Sequence, residues 1–166
     1  MVRVGIDLEC IDRFALVLKP GGEAFYQRVY TPSERMTFGR SLELLALAFT
    51  AKEAVAKVLG TGLSPDTAHG VTGQEIEIYL ASPPDQHLAV VFRGKAQGVA
   101  SRLGLSEVLL CWARNRRLAC TVAVGGKDLP RGVWHEALRV ALRSMLGDCD
   151  AEKNPTDRDR GRGRNG

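Results

Sequence analysis

Hydrophobic and polar positions alternate at the start of the chain, where β-branched Val4 and Ile6 lead into the acidic pair Asp7 and Glu9. That reads as a strand over residues 2–8 with carboxylates at its exit, and an apolar strand opening a chain is expected at the centre of its sheet. A helical period follows over 11–18 and is broken by Pro20-Gly21-Gly22. Further helical segments read at 24–29 and 32–40, where Thr31, Ser33 and Glu34 offer N-capping chemistry around Pro32. A long helix over 41–59 ends at Gly60. Alternation returns at 75–80, turns at Pro83-Pro84-Asp85 and comes back over 87–92. A short helix at 95–103 stops at Gly104, and strands at 107–113 and 118–124 form a hairpin around Arg114-Asn115-Arg116-Arg117. An amphipathic helix spans 133–146, carrying Trp134, Leu138, Leu142 and Met145. These elements describe an α+β domain without an internal repeat.

The long helix carries the most chemistry. At about 100° per residue, Ala51, Ala54, Val55 and Val58 gather on one side of it, while Glu53 and Lys57 stand one turn apart on another. Such an i,i+4 pair is ordinary on a surface helix, and Asp7 with Glu9 is ordinary on a solvated strand. Together with Lys52 they make a joint pattern that surface pairing does not explain, because buried carboxylates without a cation are costly. Two carboxylate sources and two lysines suggest a divalent metal holding a phosphate.

Composition narrows the class. With 166 residues the chain is expected to form one core, and 45% hydrophobic against 25% charged residues is the balance of a soluble globular protein. No run of 18 apolar residues and no signal-like start occur, so the expected compartment is the cytoplasm and no membrane partner is expected. The cysteines, Cys10, Cys111, Cys120 and Cys149, are far apart and lack metal-binding spacing; they read as reduced, mostly buried thiols. None of His69, His87 and His135 sits in a motif. The tail from 151 to 166 holds five Lys/Arg against three Asp/Glu, or +2, with Arg-Gly repeats and no apolar period, so disorder is expected there. Subtracting it from the net +4 leaves +2, too little for nucleic acid to be expected as a partner.

The segments Gly5-Ile6-Asp7-Leu8-Glu9 with Arg13, Phe25 to Glu34, Phe49 to Gly62 (FTAKEAVAKVLGTG) and Glu75 to Gly104 resemble, in that order, the 4'-phosphopantetheinyl transferase family, in its short holo-[acyl-carrier-protein] synthase type. The resemblance covers residues 1–126, leaving 127–150 as a helical extension and 151–166 as the charged tail. It implies a long central helix packed on a small antiparallel sheet. It also implies an enzyme that transfers the phosphopantetheine arm of coenzyme A to a serine of an apo acyl or peptidyl carrier protein. Asp7 and Glu53 match the family's Mg²⁺ ligands, and Glu9 a further acidic residue found in part of it. Lys52 and Lys57 match contacts to the coenzyme's phosphates, with Gly60-Thr61-Gly62 completing that motif, and Arg13 matches an arginine that meets the carrier protein. The serine's proton falls to Glu53 or to a metal-bound water, and Lys57 joins Glu53 as a catalytic residue. Short members of the family form homotrimers.

Two positions depart from the family pattern. Ala48 stands where an arginine is frequent, and Leu109-Leu110-Cys111-Trp112 where the family often has Ser-x-[Ser/Thr]-His. Trp112 either stacks on the coenzyme's adenine or packs in the hairpin core, and Arg114, Arg116 or Arg117 is a candidate replacement for a phosphate contact. The alternatives to active transfer are a relative that has lost or changed the reaction, and a non-catalytic module that docks a carrier protein.

Overall fold

The structure is a computed structural model. It describes residues 1–166 except 20–21, 67, 69, 81–87, 128, 130 and 147–166, and omits the side chains at 80, 131–135, 137 and 145. The turn at Pro83-Pro84-Asp85, His69, His87, Cys149, the charged tail and the side chains of Trp134, His135 and Met145 therefore lie outside the described residues.

The elements run β1 (Arg3–Cys10), α1 (Ile11–Val17), α2 (Glu23–Val29), α3 (Pro32–Phe38), α4 (Leu42–Leu59), β2 (Ile76–Leu80), β3 (Leu88–Phe92), α5 (Gly94–Arg102), β4 (Glu107–Arg114), β5 (Leu118–Gly126) and α6 (Arg131–Leu146). β1, β5 and β4 form an antiparallel sheet in that order, and β2 pairs with β3 in a separate hairpin. α4 is the organising element. It packs against the inner face of the three-stranded sheet and also against β2, α1 and α5. Its limits are set locally: Ser41 Oγ accepts from the Leu44 amide, and Gly60 takes the left-handed conformation at φ 77° that closes the C-terminus.

Small residues let α4 sit deep. Ala51, Ala54 and Val58 of the helix are fully buried, as are Ala119 and Ala123 of β5. A side-chain carbon on Gly5 would stand 2.0 Å from the Ala54 carbonyl oxygen, so only glycine permits β1 to cross the helix at this distance. Thr50 and Thr121, both buried, bond to each other at 2.9 Å across the same interface.

β1 lies at an edge of the sheet; the strand expected at the centre is in fact flanked on one side only, and β5 takes the middle. The apolar row Val4, Ile6 and Leu8 that suggested a central position faces outward and is 63%, 49% and 52% exposed. Arg3, Gly5, Asp7 and Glu9 face inward, so the polar row is the one turned toward α4. On the outer face α6 covers β4 and β5: Leu138, Leu142 and Leu146 pack with Cys111, Ala113, Cys120 and Val122. The end of α6 is tied down by Asn115 Nδ2, which donates to the Leu146 carbonyl at 3.2 Å.

Gly5→Ala is expected to cost at least about 2 kcal/mol, because the backbone of α4 cannot yield as a side chain would. Gly98→Ala is expected to gain about 0.5–1 kcal/mol, since Gly98 lies within α5 with only the tip of Arg102 near its side-chain position. Urea midpoints of the two variants compared with the parent check both signs.

Candidate active site

α4 is buried almost all round, and below its first turn only Phe49, Glu53 and Lys57 escape full burial. They are spaced i,i+4 and so form one stripe along the helix. Phe49 closes the upper end in a ring cluster with Phe14 and Phe25. Asp7 meets this stripe from the inward row of β1: Lys57 Nζ donates to Asp7 Oδ1 at 2.7 Å and to the Ile6 carbonyl at 2.8 Å. The Glu53 carboxyl is held above its ordinary pKa, first by burial and then by the charge of Asp7. Lys57 and the backbone N–H of Leu63 act against that rise. The seam between β1 and α4 thus joins Asp7, Glu53 and Lys57, at the depth that Gly5 allows.

Glu9 does not join them. Among the described residues no group of three or more His, Cys, Asp or Glu side chains lies close enough to hold a metal ion. Glu9 sits at the end of β1, two residues beyond Asp7, and its carboxylate meets Arg13 at 3.7 Å. The acidic donor set at the seam is therefore Asp7 with Glu53. Arg13 itself is 80% exposed at the start of α1.

Lys52 also departs from expectation. It is fully buried, and its Nζ bonds to Glu34 Oε2 at 2.8 Å, the Gly73 carbonyl at 2.6 Å and the Ile76 carbonyl at 2.5 Å. One residue step rotates a helix by about 100°, so Lys52 and Glu53 cannot both face the seam. In one copy of this chain Lys52 is an interior cation, its pKa lowered by burial, with no exposed surface of its own.

The Gly60-Thr61-Gly62 turn is committed to capping. Its amides point back to Lys57 O at 3.0 Å and to Ala56 O at 3.1 and 3.4 Å. Arg3 Nε donates to the Val58 carbonyl beside it. Arg3 was legible only as a member of the inward row 3, 5, 7, 9, and Glu34 only as a cap; neither their partners nor the Leu63 amide has a sequence signal. Trp112 lies in one cross-strand row with Thr121 and Asp7, is partly buried, and packs against the main core. This places the indole on the same face of the sheet as Asp7. Ala48 is buried. Arg114 pairs with Glu43 in the first turn of α4, fourteen residues from Lys57 or about 21 Å along the helix, too far to replace a phosphate contact there. A cleft of about 290 Å³ lined by Thr31, Pro32, Ser33, Gln74, Glu77 and Arg93 contains none of the expected site residues. Cys111 and Cys120 are buried thiols, Cys10 is half-buried, and burial pushes the Cys111 thiol up to about 11.

The family model described as 4'-phosphopantetheinyl transferase superfamily matches residues 3–123. A holo-[acyl-carrier-protein] synthase of Roseiflexus castenholzii is 37% identical over 66% of this chain and 80% of its own. One of Halorhodospira halophila is 34% identical over 73% and 94%. Among solved structures, the holo-[acyl-carrier-protein] synthase of Neisseria meningitidis superposes with a TM-score of 0.66 at 27% identity, covering 76% of this chain and all of that one. The ACPS–CoA complex of Chronobacterium ammoniagenes gives 0.62 at 26%, covering 78% and 99%. The chain belongs to the 4'-phosphopantetheinyl transferase superfamily, with the α+β fold of its holo-[acyl-carrier-protein] synthases.

The two lysines of the helix are expected to separate on substitution. Lys52→Met leaves Glu34 charged and unpaired in the interior and should cost about 3–5 kcal/mol, whereas Lys57→Met, at a site 46% exposed, should cost no more than about 1 kcal/mol while transfer falls. Equal urea midpoints for the two variants would contradict this assignment.

Proposed function

We propose that this chain is a holo-[acyl-carrier-protein] synthase: an enzyme that moves the 4'-phosphopantetheine arm of coenzyme A to a serine hydroxyl of an apo carrier protein and releases adenosine 3',5'-bisphosphate. The observation that carries the reading is the meeting of Asp7, Glu53 and Lys57 at the seam of β1 and α4.

Mg²⁺ is the implied metal, and the donor set suits it. Magnesium takes one or two carboxylates and fills its other positions with water and phosphate oxygens. Asp7 and Glu53 are two such carboxylates, and their mutual repulsion and the burial of Glu53 are relieved by a divalent cation. Bound there, the ion would neutralise the pyrophosphate's charge. Lys57 spends two of its three donors on Asp7 and Ile6, so the third is available to a phosphate oxygen, and its charge stabilises the departing phosphate. The serine oxygen bonds to phosphorus as the phosphoanhydride bond breaks. Glu53 is suited by its position to receive the serine proton on an oxygen that does not serve the cation.

The half-open seam accords with the homotrimer that the resemblance implies: a second copy can supply the missing wall and cover the outward row Val4, Ile6 and Leu8. Among the described residues no helix is long and apolar enough to cross a membrane, and this reading expects a cytoplasmic enzyme.

Incubation of an apo carrier protein with coenzyme A, Mg²⁺ and the full chain is expected to add about 340 Da, the mass of the arm; no added mass, or full activity in excess chelator, would overturn the reading or its metal. Glu53→Gln should lower transfer at least about hundredfold without loss of stability. A carboxyl whose folded pKa is raised binds its proton more tightly folded than unfolded, so it destabilises the fold as pH rises above its ordinary 4.5. The variant should therefore melt at or above the parent at pH 7 and show less decline between acid and neutral pH.

Arg13 is placed on the exposed start of α1, and a carrier protein is an acidic partner. Arg13→Glu is expected to raise KM for the carrier protein severalfold at low ionic strength, with KM for coenzyme A unchanged, since a rim charge acts mainly on association. Steady-state kinetics at two salt concentrations test this, and unchanged carrier-protein kinetics would remove Arg13 from the docking surface.

A further inference from the structure

We propose that Arg3 is a coenzyme-binding residue that holds a phosphate group of the donor against the C-terminal end of α4. The proposal rests on the synthase reading above and adds to it a residue outside every motif by which that reading was reached.

The end of α4 is a poor place for a polyanion by itself. A helix C-terminus carries partial negative charge, and the amides of Gly60, Thr61 and Gly62 are turned back onto Ala56 and Lys57, so the turn presents no free donors. A side-chain cation is needed there. Lys57 is one, but it is paired with Asp7. Arg114 is committed to Glu43 at the far end of the helix, and Lys52 is enclosed with Glu34.

Arg3 is the cation the fold delivers to this spot. It stands on the inward row of β1, four residues before Asp7 and two before Gly5, at the strand's crossing with the helix. Its Nε donates to the Val58 carbonyl, which offsets the negative helix end, and its Nη2 lies where a side-chain carbon on Gly60 would come within 2.9 Å of it. A guanidinium has five N–H donors. One is used on Val58, and among the described residues Arg3 has no carboxylate partner, unlike Lys57, which is paired with Asp7. The planar edge that remains matches a phosphate in geometry and charge. Gly60, required by its left-handed backbone, also leaves Nη2 unobstructed on that side. The chemistry recognised is a phosphate monoester or diphosphate, and coenzyme A carries both, as its 3'-phosphate and its pyrophosphate.

The test uses the full chain with Arg3→Gln, in which the amide can still donate to Val58, and Arg3→Lys. Calorimetric titration with coenzyme A and with dephospho-coenzyme A is combined with transfer kinetics. The expected result is a roughly tenfold to hundredfold weaker binding of coenzyme A by Arg3→Gln, partial recovery in Arg3→Lys, and carrier-protein KM close to the parent. A loss confined to coenzyme A assigns Arg3 to the 3'-phosphate; an equal loss for both compounds assigns it to the pyrophosphate. A lowered melting temperature with parental affinity for both compounds makes Arg3 a helix cap alone and overturns the proposal. A parent chain that binds coenzyme A but transfers nothing defeats the synthase reading while leaving the Arg3 comparison intact, and a parent that binds no coenzyme A overturns both.

Discussion

The interior ion pair between Lys52 and Glu34 is the constraint on which the remainder of the structure turns. Glu34 accepts the Thr31 amide and Lys52 on one oxygen and the Ile78 amide on the other. Lys52 reaches the Gly73 and Ile76 carbonyls in addition. Two side chains thus join the cap of α3, the middle of α4, the turn before β2 and β2 itself. A buried pair of this kind contributes little net stability relative to an apolar packing, but losing one partner is severe. Its consequence here is orientation. With Lys52 turned toward Glu34, α4 has no freedom to rotate about its axis, and the next residue, Glu53, is delivered to the opposite interface with Lys57 one turn below it.

The depth of that interface is a second constraint. Because Gly5 leaves no side chain at the crossing and Ala54 stands opposite, β1 approaches the helix closely enough for Asp7 to meet Lys57 directly. Charges that would be screened on an open surface are instead partly desolvated, which is why the Glu53 carboxyl rises while Asp7 stays paired. A helix buried on nearly every side leaves one stripe on which chemistry can occur, and that stripe runs from the aromatic cluster at Phe49 to the cation at Lys57. The fold makes the stripe by exclusion: what remains unburied on α4 is what a ligand can reach.

The three-stranded sheet carries different loads on its two faces. Inward, the row Asp7, Thr121 and Trp112 joins the seam to the main core, on which the indole packs. Outward, α6 lies on β4 and β5 but leaves the row of β1 bare. The family match stops at residue 123, before α6 begins, and that helix takes up apolar surface of β4 and β5.

Most of the element order was present in the sequence. The periods of 2 and 3.6, the Thr31 cap before Pro32 and the stop at Gly60 are local signals, and local signals suffice for strands, helices and their ends. The motif carried Asp7, Glu53 and Lys57 as well, because residues four apart on a helix share a face whatever surrounds it. Three matters were decided only in three dimensions. The apolar row of β1 looked central although it faces outward at an edge, since alternation tells that two faces differ and not which one is covered. The family resemblance matches Lys52 to a phosphate contact; a step of about 100° from Glu53 turns it into the interior, where Glu34 from another helix receives it. Glu9 shares the row of Asp7, but its carboxylate is drawn to Arg13, a choice set by where α1 starts. Periodicity determines which side chains share a face; which neighbour that face meets is a property of the packed chain, and that determined which of the charged residues became the site.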